Sequence, residues 1–356
     1  MQPATIIDVR FTPLDVPLIE PFGIAMGAQA VAQNVLVEIA LADGTRGIGE
    51  AAPFPVVTGE TQTSTLEAVD QMRSVLLGRD VRQWRAIAAD LKAAHKEAAA
   101  ARCATESALL DALTRQAKMP LWAFFGGAQT VLETDMTITT GSVDHARQSA
   151  RSIAGRGIRT IKIKIGGDQQ IDLDRIAAVH EAVPDAPLIL DGNCGYNANS
   201  ALDLLAGLRT RSIPIALFEQ PVARHDIDGL ARVTREGGVL VAADESVTTA
   251  QDALRIVQHQ AANVVNIKLM KAGIVEGLAI AAICRAAGID LMIGGMVETA
   301  LAMNVSAHFA AGLGGFRFVD LDTPMFMAEQ PLRGGWQQHG GTLRIDHVAA
   351  GHGVEV

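Results

Sequence analysis

Six short segments of this chain hold groups that could take a proton from carbon and return it. They are Lys162-Ile163-Lys164, Asp191-Gly192-Asn193, Glu219-Gln220-Pro221, Asp244-Glu245-Ser246, Asn266-Ile267-Lys268 and Asp320-Leu321-Asp322. The chain has 23 arginines but only seven lysines, and four of the seven are Lys162, Lys164, Lys268 and Lys271. Arginine serves as the surface cation here. Lysine in strand-like segments therefore points to a group that must be able to lose its proton, which a guanidinium cannot do at ordinary pH. Asp191, Glu219 and Asp244 offer oxygen ligands without histidine or cysteine, a set that suits Mg²⁺ rather than zinc. A carboxylate held by such a metal, with lysine as base, is equipped for α-proton abstraction and for stabilising the resulting enolate.

This chemistry requires the segments to meet on one rim. Successive side chains of a strand face opposite ways. In residues 160–165, Ile161, Ile163 and Ile165 thus share one face, which calls for cover by helices, and Lys162 and Lys164 share the other. Lysines buried on that face need carboxylates from elsewhere. From about residue 130, apolar strands at 133–139, 160–165, 188–191, 215–219, 240–244, 264–268, 291–294 and 316–320 alternate with helical stretches. Their repeat of about 25 residues is that of a compact βα unit. Eight such strands predict a closed parallel barrel, with an open doubly wound sheet as the alternative. Active sites of these barrels lie at the C-terminal strand ends. Asp191, Glu219 and Asp244 then point inward from strands 3, 4 and 5. Lys162 and Lys164 come from strand 2 and Lys268 from strand 6, four strands away, so a substrate between them meets an ammonium on each face. Asp320 and Asp322, on strand 8, face the metal across the mouth and could hold a cation such as a substrate α-ammonium.

Residues 1–125 read as an α+β unit. Strands are expected at 6–16, 34–41 and 47–50, helices at 61–77, 82–94 and 98–116 with the last half buried, and loops at 22–27 and 54–59. After the barrel, residues 324–356 are expected to return to the first unit, with a closing strand at 342–348. The chain is 356 residues long, 49% hydrophobic and 19% charged, which predicts a sizeable core and no disorder. A net charge of -9 argues against a nucleic-acid surface. No apolar run approaches the ~18 residues needed to span a membrane, and the first residues lack the pattern of a secretory signal. Cys103, Cys194 and Cys284 are too scattered for disulfides or a zinc site and fit a reducing cytoplasm. The expected partners are a small-molecule substrate and further copies of the chain as a homo-oligomer, with no nucleic acid and no membrane.

The combination of Lys162-Ile163-Lys164, Asp191-Gly192-Asn193, Glu219-Gln220-Pro221, Ala243-Asp244-Glu245-Ser246 and Asn266-Ile267-Lys268-Leu269-Met270-Lys271 resembles the enolase superfamily, in its muconate-lactonizing-enzyme subgroup. The resemblance spans nearly the whole chain. It implies a (β/α)7β modified TIM barrel (126–323), an α+β capping domain (1–125), and a tail (324–356) that completes the cap. It also implies Mg²⁺ on Asp191, Glu219 and Asp244, Lys164 and Lys268 as the two acid/base catalysts, and Lys162 neutralising the bound carboxylate and enolate. Asp320-Leu321-Asp322 looks like the mark of the dipeptide epimerases, where it binds the dipeptide's ammonium, and Thr137 matches a substrate-contacting threonine of that family. The implied reaction is epimerisation at the α-carbon of the C-terminal residue of an L,L-dipeptide.

One departure bears on specificity. The Ala-Glu epimerases carry a cationic residue in the loop after Pro21-Phe22, whereas this chain reads Phe22-Gly23-Ile24-Ala25-Met26-Gly27 with Gly27 in the cation's place. A glutamate carboxylate would be desolvated there without a partner. The expectation is an apolar C-terminal residue, with Ile24, Met26, Val57 and Met296 as pocket wall. The alternatives within the subgroup are an o-succinylbenzoate synthase, an N-acylamino acid racemase or a muconate cycloisomerase, whose substrates have no use for Asp320 and Asp322. A non-catalytic protein on this fold would have no need of opposed lysines and three metal carboxylates.

Overall fold

The computed structural model describes residues 3–24 and 27–356, leaving aside the side chains of residues 24, 27, 28 and 56. The chain opens with an antiparallel sheet of β1 (Ile6–Ile24), β2 (Gly27–Leu41) and β3 (Arg46–Ala51). Pairing of β1 with β2 resumes after a register shift between Pro17 and Phe22 and runs to Ile24 and Gly27. Residues 22–24 and 27 of the expected loop at 22–27 are therefore strand, residues 25 and 26 lie outside the described residues, and both strands outrun the expected 6–16 and 34–41. β1 carries Pro13, Pro17 and Pro21, which it tolerates because it is an edge strand, where a missing N–H is no loss.

Helices Gln62–Leu76, Trp84–Ala94 and Ala99–Gln116 follow as the periodicity requires. The last is almost wholly buried rather than half buried. Its alanines lie directly on β3, because Gly47 and Gly49 have no side chain there. A Cβ on Gly47 would come within 2.3 Å of the Ala108 carbonyl, and one on Gly49 within 2.1 Å of the Ala104 carbonyl. The helix's other side packs on the barrel segments Leu269–Ala272 and Ile274–Ala286. The expected loop at 54–59 contains one helical turn, Pro55–Thr58.

The expected strand at 133–139 is two strands. β4 (Val131–Glu133) pairs with the tail, and β5 (Met136–Ile138) begins the barrel. The remaining barrel strands are β6 (Ile161–Lys164), β7 (Leu188–Asp191), β8 (Leu217–Glu219), β9 (Val241–Ala243), β10 (Val264–Lys268), β11 (Asp290–Gly294) and β12 (Phe316–Val319). They form one parallel sheet in sequence order. Helices lie between consecutive strands, from Val143–Gly155 to Ala300–Leu313, which gives a (β/α)7β ring. No ladder joins β12 to β5. The seam is closed by the Asp135 N–H donating to the Val319 carbonyl at 3.0 Å, the Leu321 N–H to Thr134 Oγ1 at 2.9 Å, and the Thr137 N–H to Asp322 Oδ2 at 2.6 Å.

Inside the ring, Ile189, Leu217, Ala242, Val264 and Met292 form an apolar plug against Leu240 and Phe318. Most plug residues sit two positions before a rim residue: Ile189 before Asp191, Leu217 before Glu219, Ala242 before Asp244, Val264 before Asn266, Phe318 before Asp320. The period of two thus builds a dry floor and a polar rim from the same strands. Outside, Ile161, Ile163 and Ile165 are buried as their strand face requires.

In the tail, Ala328 N–H reaches the Pro17 carbonyl, and β13 (Arg333–Gly334) pairs with β16 (Val354–Glu355). β14 (Gln337–His339) and β15 (Thr342–Arg344) join β4 rather than the capping sheet, so the expected closing strand at 342–348 is shorter and lies at the barrel's edge. The capping unit is reached instead through His352 Nε2 at 3.1 Å from the Ile48 carbonyl, and by Arg115 Nη2 donating to the Val354 carbonyl at 2.7 Å. No helix among the described residues is long and apolar enough to cross a membrane.

Candidate active site

The six segments meet on one rim. Lys162, 1% exposed, carries its ammonium 3.0 Å from Asp191 Oδ2, 2.7 Å from Glu219 Oε2 and 2.6 Å from Asp320 Oδ2. Asp320 is thus not at the far end of the mouth from the carboxylates of strands 3 and 4. One ammonium spans the gap between them. Lys164 Nζ donates to Asp191 Oδ2 at 2.7 Å, and Lys268 Nζ lies 2.8 Å from Asp244 Oδ2. Lys164 and Lys268 come from β6 and β10, four strands apart in the ring, and both line the same cavity.

These charges set one another's protonation. Burial works against charge on Lys162, but Asp191, Asp320 and Glu219 outweigh it and raise its pKa well above the lysine range. Burial likewise opposes the charged form of Lys268, and Asp244 and Glu219 overcome it. Asp191 and Asp244 are held below the usual carboxylate range: burial pushes both up, but Lys162 and Lys164 on the first and Lys268 and Lys271 on the second pull them further down. Glu219 goes the other way, up to about 7, because burial and the Asp191 charge dominate.

Further residues hold these groups in place. Asn266 Nδ2 donates to Glu219 Oε1 at 2.7 Å. Lys271 donates to the Asp244 carbonyl at 2.6 Å and also to its carboxylate. Gln220 braces two neighbouring strand ends. Its Oε1 accepts from the Asp244 and Ser246 N–H groups, and its Nε2 donates to the Val222 carbonyl and Ser246 Oγ. Gln220 (φ 34°) and Asn193 (φ 39°) lie in the left-handed region next to rim carboxylates, a strain held by these bonds. Arg175 joins the ends of β5 and β6 through the Thr139 and Lys164 carbonyls. Gln220 and Arg175 were not singled out from the sequence, since their partners lie on other strands.

The capping unit closes the cavity. Phe22 stands with its ring 6.0 Å from Lys164 Nζ and packs edge-on to Phe326 at 5.3 Å. Phe54 and the expected Val57 and Met296 line the same space, as does Thr137. The side chain of Ile24, and Met26 altogether, lie outside the described residues. Glu50 of β3 joins cap to barrel by accepting from the Thr299 and Ala302 N–H groups at the start of helix Ala300–Leu313, and from Asn34. Asn34 in turn donates to the Val297 carbonyl beside the cavity.

Glu60, just past the covering turn, accepts from the Ala100 N–H at 3.0 Å and so caps helix Ala99–Gln116, whose own N-cap, Ala98, has no capping side chain. Burial pushes Glu60 up from 4.5 to about 7, against the Ala100 hydrogen bond and the Arg102 charge. A folded pKa above the unfolded one means that folding takes up a proton between the two values. Glu60's contribution to stability is thus fully present below the unfolded pKa and is lost as pH rises through about 7. Urea midpoints should accordingly fall less for Glu60→Gln than for the wild type between about pH 5 and about pH 8. Parallel falls in the two proteins would contradict this role.

Asp322 accepts the Thr137 N–H and lines the cavity with Asp320. Burial and the Asp320 charge raise Asp322 to about 7, whereas Lys162, Lys268 and Lys164 outweigh burial at Asp320 and hold it low. A third carboxyl stands behind them. Asp135, 1% exposed, offers an oxygen within 4.8 Å of ones from Asp320 and Asp322. Nothing in the sequence reading points to Asp135, although strand alternation puts it on the same face as Thr137.

Two groups of carboxylates could therefore take a cation. Asp135, Asp320 and Asp322 are the tightest cluster, with Asp320 bonded to Lys162 and Asp322 to a backbone N–H, as Asp191 and Asp244 are bonded to lysines. Asp191, Glu219 and Asp244 form an oxygen-only set on three consecutive strands. Glu219 Oε2 is buried there and, though 2.7 Å from Lys162 Nζ, lacks hydrogen-bond alignment; Asn193 Oδ1 and Glu245 Oε2 nearby are also without donors among the described residues. Buried acceptors of this kind fit a hard divalent cation, and the chemistry favours Asp191, Glu219 and Asp244 as its ligands.

The chain matches known proteins over its whole length. Residues 6–126 match the mandelate racemase / muconate lactonizing enzyme N-terminal domain, and residues 144–356 match the enolase C-terminal domain-like family. The chain is 58% identical over 356 residues, the full length of both proteins, to an aromatic dipeptide epimerase of Herpetosiphon aurantiacus. It is 39% identical over 347 residues to a hydrophobic dipeptide epimerase of Citrifermentans bemidjiense, covering 95% of this chain and 94% of that one. Among solved structures, a dipeptide epimerase of Enterococcus faecalis V583 complexed with Mg and the dipeptide L-Leu-L-Tyr superposes with a TM-score of 0.96 at 34% identity, covering 99% of this chain and 100% of that one.

Proposed function

The chain belongs to the mandelate racemase / muconate lactonizing enzyme family of enolase-like proteins, and from that premise we propose that it epimerises dipeptides at the α-carbon of the C-terminal residue, preferring apolar and aromatic residues over glutamate. The observation that carries the reading is Lys164 and Lys268 facing one cavity from strands four apart. One lysine, as the free amine, takes the α-proton from one face of the carbon. The other, as the ammonium, delivers a proton to the opposite face. Lys162 is assigned to neutralise the substrate carboxylate and the enolate that forms. Asp191, Glu219 and Asp244 would hold Mg²⁺. The chemistry Mg²⁺ supplies when bound is positive charge, which favours the enolate and competes with the lysines for Asp191 and Asp244.

Asp320 and Asp322 are assigned to the substrate's α-ammonium, with Thr137 beside them. This pair is what disfavours the cycloisomerase and N-acylamino acid racemase readings, whose substrates lack that ammonium. The apolar preference is supported by Phe22, Phe54, Val57 and Met296 around the cavity and by the absence of a cation in residues 22–27. Residues 1–125 act as the cap, 126–323 as the catalytic barrel and 324–356 as the returning tail. A cytoplasmic location is supported by three cysteines that are all free, and light scattering would check self-association.

The test is a comparison of kcat/KM for L-Ala-L-Phe, L-Ala-L-Glu and N-acetyl-L-Phe with Mg²⁺ present. The aromatic dipeptide should exceed the glutamate one by at least about tenfold, since an unpartnered desolvated carboxylate costs several kcal/mol. The N-acyl compound should not react. Faster turnover of L-Ala-L-Glu would refute the apolar preference, and turnover of N-acetyl-L-Phe would refute the ammonium requirement.

A further inference from the structure

Asp135 has no place in the mechanism above, yet its surroundings are unusual. It lies at the seam of the barrel, where its N–H makes the backbone bond to Val319 that joins β12 to β5. Its carboxyl is sealed beneath the site and does not line the cavity. Neither of its oxygens meets a donor among the described residues. The charged groups facing it are Asp320 and Asp322 from the end of β12, and Lys162 from β6. The Lys162 ammonium is engaged with Asp320, Asp191 and Glu219, and the Thr137 N–H is engaged with Asp322. Three ionised carboxylates this close and this dry would repel one another, and the unpartnered one would be buried as an uncompensated charge. A single proton removes both penalties by converting one acceptor into a donor.

We propose that Asp135 is a neutral carboxylic acid in the folded enzyme, donating its O–H to Asp320, and that it is a positioning residue for the substrate's ammonium. The inference rests on the reading of Asp320 and Asp322 as the ammonium subsite and adds how that subsite is held. Asp320 is gripped by Lys162 on one side and by Asp135 from below, so its remaining lone pairs face the cavity. An O–H to carboxylate bond is of the strong, charge-assisted kind. Burial and the negative charges of Asp320 and Asp322 raise the Asp135 pKa well above the carboxylate range, in the same direction. Protonation also limits the negative charge of the subsite.

The test uses the full-length enzyme with Mg²⁺ and two variants. Asp135→Asn keeps a donor that cannot ionise; Asp135→Ala removes the donor. Loss of a charge-assisted hydrogen bond should raise KM for L-Ala-L-Phe about tenfold or more in Asp135→Ala, with kcat changed less than KM, while Asp135→Asn stays near wild type. Independently of activity, the infrared difference spectrum of wild type minus Asp135→Asn at neutral pH should show a protonated-carboxyl C=O stretch. This readout survives if Asp135→Ala fails to fold, and it stands even if no dipeptide reacts, in which case the functional reading fails separately. Absence of the band, or an Asp135→Asn variant as impaired in KM as Asp135→Ala, would overturn the proposal. Either result would mean that Asp135 does not hold Asp320 by donating an O–H to it.

Discussion

Lys268→Ala should abolish interconversion of L,L- and L,D-dipeptides while leaving α-proton exchange of one diastereomer intact. Lys164→Ala should do the same for the other diastereomer. Removing a positioned acid/base group typically costs 10²–10⁴-fold, and epimerisation needs both groups, so the loss in each variant should be about 10³-fold or more. The fold should survive. Asp244 keeps Lys271 when Lys268 is removed, and Asp191 keeps Lys162 when Lys164 is removed, so neither change leaves a buried carboxylate alone, the situation that unfolds proteins. Proton NMR in D₂O, started from each diastereomer in turn, reads both outcomes. Loss of exchange from both diastereomers in one variant would mean that the two lysines do not divide the faces between them.

Glu219→Gln should cost about as much by a different route. The side chain keeps its size and its place among Lys162 and Asn266, but it loses the charge that a hard divalent cation requires. Metal ions contribute several kcal/mol of charge stabilisation in such reactions, which corresponds to about 10³-fold or more in rate. Calorimetric titration should show Mg²⁺ bound at least about tenfold more weakly, and saturating Mg²⁺ should restore part of the rate. An unchanged Mg²⁺ affinity would remove Glu219 from the ligand set and turn attention to Asp135, Asp320 and Asp322.

The rim was readable because one rule, the alternation of strand side chains, acts at every position. The residue two before Asp191, Glu219, Asp244 and Asp320 is apolar and belongs to the plug, as with Ile189 and Asp191, or Leu217 and Glu219. Lysine placed on the inward face of β6 could only be stable with acids opposite it. What escaped the sequence depends on contacts between distant segments. Asp135 is an ordinary residue at the start of a strand until the seam brings Asp320 and Asp322 against it. The burial of helix Ala99–Gln116 depends on Gly47 and Gly49 touching its alanines, and helical periodicity cannot report a second covered face. The extension of β1 to Phe22 depends on its pairing with β2 across a register shift, which no local signal reports. The split of residues 133–139 follows from β15 pairing with β4, a partner two hundred residues further along the chain.

The central claim is proton transfer at one carbon by two opposed lysines. Its most direct test is to incubate the enzyme with Mg²⁺ and a set of L,L-dipeptides in D₂O and follow the mass and the stereochemistry. The account predicts one deuterium at the C-terminal α-carbon, with the L,D-diastereomer appearing, and aromatic and apolar members labelled fastest. No labelling of any dipeptide by an enzyme shown to bind Mg²⁺ would contradict it.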